Sequence, residues 1–119
     1  MVIPVQGDIY WGRFGSSGDS VPSGKRPAVV VQKDLLNRSN IQTTVVTLLT
    51  SNLKLAQIPG NVRLKKGAAN LPKAGVVVVS QMATVSKRGL LEKIGTLSRQ
   101  TLVKVVDGYR QVISLNIFE

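Results

Sequence analysis

Apolar residues fall in short dense runs along this chain, and the runs mark strands. "RPAVVVQ", residues 26–32, carries four apolar residues in a row behind a proline. A strand start is where a missing backbone N–H does least harm, so Pro27 fits that place. "IQTTVVTLLT", 41–50, is β-branched, and "NVRL", 61–64, is a shorter strand. "GVVVVSQMATVS", 75–86, turns from apolar to polar and predicts a bend at Gln81–Met82. "GDIYWGRF", 7–14, alternates loosely and is rich in aromatics. "KRGLLEKIGTLS", 87–98, reads as a short helical turn followed by an extended piece.

The period changes at the end. Over 99–115, Leu102, Val105, Val106, Tyr109, Val112 and Ile113 recur at helical steps, with Ser98 placed to cap the start. Several short strands closed by one amphipathic helix predict a mainly β fold, a small bent barrel or sheet with the helix packed on it. No repeat, low-complexity segment or internal boundary interrupts the 119 residues, which read as one domain over 1–119.

Composition narrows the chemistry. The chain has neither cysteine nor histidine, so thiol chemistry is excluded, and the commonest metal ligand and neutral-pH acid–base group are missing. Its acids are Asp8, Asp19, Asp34, Asp107, Glu92 and Glu119, with no two close in sequence, which argues against a metal or other cofactor. A net charge of +10, spread along the chain, favours a polyanionic partner. No apolar run approaches the roughly 20 residues that span a bilayer, and "MVIPVQGD" lacks the pattern of a signal peptide. The expected location is the cytoplasm, with no membrane partner.

"GKRPAVVVQKD", 24–34, places Lys25 and Arg26 at the mouth of a buried strand. Two readings stand. Charged residues flank strands as solubility gatekeepers. Alternatively, the strand holds Arg26 rigidly toward an anion. Just before it, "GSSGDSVPSGK", 15–25, is a polar loop with three glycines and a proline, of the length that lids and binding loops have. Trp11 and Phe14 precede that loop, and an exposed aromatic there stacks on a base for ~1–3 kcal/mol; Trp11 is also a candidate for the core. Lys25, Lys65, Lys66 and Lys73 are candidates for tracking phosphates, and "LKKGAANLPK", 64–73, suits the rim of a groove.

The succession "GDIYW", a Gly/Ser loop, "GKRPAVVVQKD", a strand ending "LLTSN", then "VVVVSQMATVSKRGLLEKIGTLS" resembles the MazF/PemK family of toxins, from Gly7 to about Ile113. Each motif alone is weak; their order and spacing are specific. The resemblance implies an SH3-like β-barrel with a C-terminal helix and a homodimer. It implies metal-independent cleavage of single-stranded RNA at short sequences. In that reaction the 2′-hydroxyl attacks the adjacent phosphate and leaves a 2′,3′-cyclic phosphate and a 5′-hydroxyl end. It also implies neutralisation by an acidic antitoxin.

The family pattern carries over residue by residue. Arg26 matches the catalytic arginine of the "RP" motif. A guanidinium presents a fork of donors to phosphoryl oxygens and stays charged, which suits electrostatic stabilisation better than proton donation. Thr50, ending "LLT", matches the family threonine, whose safer role is a hydrogen bond to the scissile phosphate. Ser51 is a second donor. Gln81 matches a glutamine that reads a base edge or holds Arg26. Two positions depart from the pattern: Ser80 stands where many relatives carry an acid, and Ala83 where many carry a base. Without that acid the 2′-hydroxyl has no evident proton acceptor. Either Arg26 and Thr50 suffice, or Asp19 in the loop substitutes, or the chain cuts slowly or not at all. Two competing functions follow: a non-catalytic RNA-binding barrel, and a gyrase-poisoning toxin like the related CcdB. The tail "SLNIFE" does not match the helix end on which the latter depends.

Overall fold

The valine-rich runs form the interior of one six-stranded antiparallel sheet in the computed structural model, which describes residues 2–13 and 24–116. The strands are β1 (Asp8–Gly12), β2 (Arg26–Val30), β3 (Thr43–Thr50), β4 (Val62–Leu64), β5 (Gly75–Ser86) and β6 (Leu90–Thr96), in the order β4-β5-β3-β2-β1-β6. A one-turn helix, α1 (Asp34–Asn37), follows β2, and α2 (Arg99–Val112) packs on the sheet. Strand placement follows the sequence reading closely. The turn Lys87–Gly89 before β6 matches the predicted helical turn and extension. Helix α1 and the 3₁₀ turns at Leu53–Gln57 and Ala68–Asn70 were not anticipated, because a single turn carries no periodicity to read.

The sheet is bent rather than flat. Met82 pairs with Thr47, but the next pair is Val77 with Leu49, so residues 78–81 bulge from the ladder. Bulges of this kind sharpen twist and turn a strand. The predicted bend in β5 therefore lies at the bulge. Gly75–Val79, running into the bulge, is buried throughout, covered by α2 and the Leu53–Gln57 turn; from Ser80 on, β5 is largely exposed. Both faces of the sheet carry core. Ile9, Val29, Leu49, Val77 and Val79 pack with Val105 of α2, and Tyr10, Ala28, Val30, Val46, Leu48 and Leu90 form a second cluster.

Strands β4 and β6 are the two edges and do not pair with each other, so the expected small barrel is present in open form. The Ala68–Asn70 turn spans the gap by packing on β6. There the backbone of Ala69 approaches Gly95 so closely that any Cβ at Gly95 would overlap the Ala69 carbonyl.

Helix α2 starts as predicted, with the Ser98 hydroxyl accepting from the Thr101 N–H at 3.2 Å. It ends at Val112, three residues before the predicted limit, and Ile113 and Leu115 are exposed with no core to meet. Gly108 lets the helix lie on the Gly60 carbonyl. Two polar pins hold the sheet ends. Buried Asp8 accepts from the Thr96 hydroxyl at 2.8 Å and the Val5 N–H at 3.2 Å, and pairs with Lys93 at 3.3 Å. Buried Lys87 donates to the Asn37 carbonyl at 2.7 Å and that of Ser39 at 3.3 Å. No helix among the described residues is long and apolar enough to cross a membrane.

Candidate active site

Strand register builds this site. β2 and β3 pair with Ala28 opposite Leu48 and Val29 opposite Thr47. Carried outward by two residues, the same register sets Arg26 beside Thr50. Residues opposite one another in antiparallel strands lie about 4.5–5.5 Å apart at Cα. Arg26 is also opposite Gly12 on β1, and Thr50 is opposite Val76 on β5. A row across the strands thus closes one end of the sheet, with two polar side chains in its middle.

Arg26 is half-buried, and its Nη2 donates to the Leu49 carbonyl at 3.5 Å, the outer limit for a hydrogen bond. Among the described residues no carboxylate pairs with it. A guanidinium carries five N–H donors, so most of this fork remains available for an anion. The Thr50 hydroxyl accepts from the Asn52 N–H at 3.2 Å. That contact uses a lone pair and leaves the hydroxyl proton to donate outward. Pro27 fixes the backbone next to Arg26 and contributes no competing N–H.

These groups open on a cleft of about 640 Å³, in the size range of small-ligand sites. Trp11, Lys25, Arg26, Thr50 and Ser51 line it, and Lys73 joins them from the segment before β5. Trp11 is half-buried, so it is both wall and support. Leu49, Leu71, Pro27 and Pro72 make the cleft partly apolar, suiting a flat base as well as a phosphate. Lys65 and Lys66 are exposed but lie outside the lining. Phe14 and Asp19, with most of the 15–25 loop, lie outside the described residues.

Ser80 and Gln81 are exposed in the β5 bulge and do not line the cleft. Gln81 lies in the bulge between the Val77–Leu49 and Met82–Thr47 pairs. In this structure the hydrogen bond of the Arg26 guanidinium goes to the Leu49 carbonyl. Sequence reasoning missed Glu92, which lines the cleft from β6. Nothing local flags it, since "LLEKIG" carries an ordinary strand glutamate; only the pairing of β6 with β1 brings it here. No three His, Cys, Asp or Glu side chains converge among the described residues.

Comparison with known proteins points the same way. A family profile described as "PemK-like, MazF-like toxin of type II toxin-antitoxin system" matches residues 5–113. The chain is 35% identical over 108 residues to endoribonuclease MazF6 of Mycobacterium tuberculosis, covering 91% of this chain and 95% of that one. It is 30% identical over 114 residues to endoribonuclease MazF of Staphylococcus epidermidis, covering 96% and 94%. Solved structures share the fold. A mycobacterial endoribonuclease superposes with a TM-score of 0.77 at 20% identity, covering 98% of this chain and 96% of that one. A MazE–MazF structure from Deinococcus radiodurans gives 0.74 at 20% identity, covering 98% and 100%.

Proposed function

The chain belongs to the PemK-like, MazF-like toxins of type II toxin–antitoxin systems, and from that premise we propose that it is an endoribonuclease toxin cutting single-stranded RNA in the Arg26–Thr50 cleft. The observation that carries this reading is Arg26: half-buried on a rigid strand, without an acid partner among the described residues, beside a threonine hydroxyl in a cleft. An arginine so placed is matched to the charge that gathers on a phosphodiester under attack.

The 2′-hydroxyl oxygen attacks the adjacent phosphorus, the bond to the 5′-oxygen breaks, and a 2′,3′-cyclic phosphate and a 5′-hydroxyl result. Arg26 stabilises the phosphoryl oxygens through its fork. Thr50 donates to one of them, with Ser51 as a second donor. Lys25 and Lys73 hold flanking phosphates, and Trp11 supports a base. The protein works as a homodimer in the bacterial cytoplasm, and an acidic antitoxin neutralises it by covering the cleft.

The test is cleavage of a long single-stranded RNA in excess EDTA, by wild type and Arg26→Ala. We expect cuts at a recurring short motif with 5′-hydroxyl ends, and a rate at least ~100-fold lower in the variant. A folded wild type that binds RNA without cutting it makes the protein a non-catalytic RNA-binding barrel. Gyrase poisoning without RNA cleavage places it with the CcdB-like toxins.

A further inference from the structure

We propose that Glu92 is the proton acceptor for the 2′-hydroxyl, filling the role for which the sequence offers no acid at Ser80. This rests on the ribonuclease reading above.

The described acids are Asp8, Asp34, Glu92 and Asp107. Three are engaged in the fold. Asp8 is buried against Thr96, Val5 and Lys93. Asp34 accepts from the Gln6 N–H at 2.7 Å. Asp107 pairs with Arg110 at 3.0 Å on α2. Glu92 alone among them has no hydrogen bond or ion pair to another described residue, and it alone lines the cleft.

Its position is made by an irregularity. Tyr10 pairs with Lys93 and Gly12 with Leu90, so Leu91 and Glu92 together stand opposite Trp11. That extra residue is a β-bulge, a device that re-aims side chains and is over-represented beside active sites. It places Glu92 in the cleft beside Trp11, while its neighbour Lys93 is tied to Asp8. The other charged or hydroxyl side chains lining the cleft are Lys25, Arg26, Lys73, Thr50 and Ser51. Cations cannot take a proton, and a hydroxyl is a poor base. Among the described residues, the carboxylate is the one lining side chain suited to that step.

In the step, the 2′-O–H proton passes to the Glu92 carboxylate as the 2′-oxygen bonds to phosphorus. The bond from phosphorus to the 5′-oxygen breaks, and that oxygen takes a proton from water. Glu92 then releases its proton to solvent, so the enzyme returns unchanged. Arg26, lining the same cleft, stabilises the phosphoryl oxygens throughout.

The experiment measures single-turnover cleavage by wild type, Glu92→Gln, Glu92→Asp and Arg26→Ala across pH, with cut sites mapped. Affinity is read with the same RNA carrying 2′-deoxy at the scissile nucleotide. Glu92→Gln should cut roughly 100- to 10,000-fold more slowly at the same motif, the usual span for a positioned general base. It should bind the non-cleavable RNA at least as tightly as wild type, because a negative charge has left the cleft. Wild type and Glu92→Gln should differ in the shape of their pH–rate profiles, as removal of a general base requires. Glu92→Asp should recover part of the rate. Wild-type rates in Glu92→Gln, with Arg26→Ala inactive, would overturn the proposal and leave the ribonuclease reading intact. A retained rate with an altered cut motif would make Glu92 a base reader instead. A weakened affinity that accounts for the whole loss of rate would make it structural. A wild type that does not cut overturns both readings.

Discussion

The Tyr109 hydroxyl is buried at the junction of α2 and the sheet with no hydrogen-bond partner among the described residues. A buried polar group left unpaired costs about 1–3 kcal/mol. Tyr109→Phe keeps the ring and removes that group, so it should be neutral or stabilising by up to about 1 kcal/mol at neutral pH. Burial also raises the Tyr109 pKa well above its ordinary value. Tyr10 shifts the same way, through burial first and the negative charge of Asp8 second. A raised tyrosine pKa means the unfolded chain loses its proton first. Stability from these residues is therefore complete below the ordinary value of about 10 and falls as pH rises past it. Urea denaturation between pH 8 and 11 should show that fall, smaller in Tyr109→Phe and still present because Tyr10 remains. A marked loss of stability in Tyr109→Phe at pH 7 would show that the hydroxyl is satisfied after all.

At the scale of elements, the open edge between β4 and β6 is held by the approach of Ala69 to Gly95. Gly95→Ala forces the Ala68–Asn70 turn or β6 to move, and overpacking of this kind costs about 1–3 kcal/mol. The same turn leads into Leu71, Pro72 and Lys73 of the cleft wall, so RNA affinity should fall with stability. Gly89 is the control. Nothing lies within 4 Å of a Cβ there, and Gly89→Ala should stay within about 0.5 kcal/mol of wild type. Denaturation midpoints for the two variants decide the matter. Equal midpoints would mean that the edge closes without this contact.

Over the whole molecule, the +10 charge governs encounters with anions. If Lys25, Arg26 and Lys73 each neutralise one phosphate, log affinity for single-stranded RNA should fall with log salt at a slope of about −2. Lys73→Ala should reduce that slope by about 0.7, whereas Lys66→Ala, exposed but outside the cleft, should leave it unchanged. Equal slopes for the two variants would mean that phosphates are held by the general field rather than by the cleft. The same field should steer an acidic antitoxin, with salt slowing association more than it speeds dissociation. Stopped-flow rates at several salt concentrations test this, and equal effects on both rates would count against steering.

What the sequence determined by itself was local. Valine-rich and β-branched runs specified the strands, because side-chain alternation and backbone pairing act over a few residues. Ser98 and the three- and four-residue apolar steps specified α2 in the same way. Arg26 and Thr50 were legible because strand ends show in the pattern and the family motif marks both. The tertiary structure alone decided what meets at the cleft. It set β6 beside β1 and, through a bulge, put Glu92 among the lining residues; it left Ser80 and Gln81 in another bulge away from them. Strand order and bulges depend on how a twisted sheet packs against itself and its helix. Contacts between residues far apart in sequence settle that, and no local spacing records it.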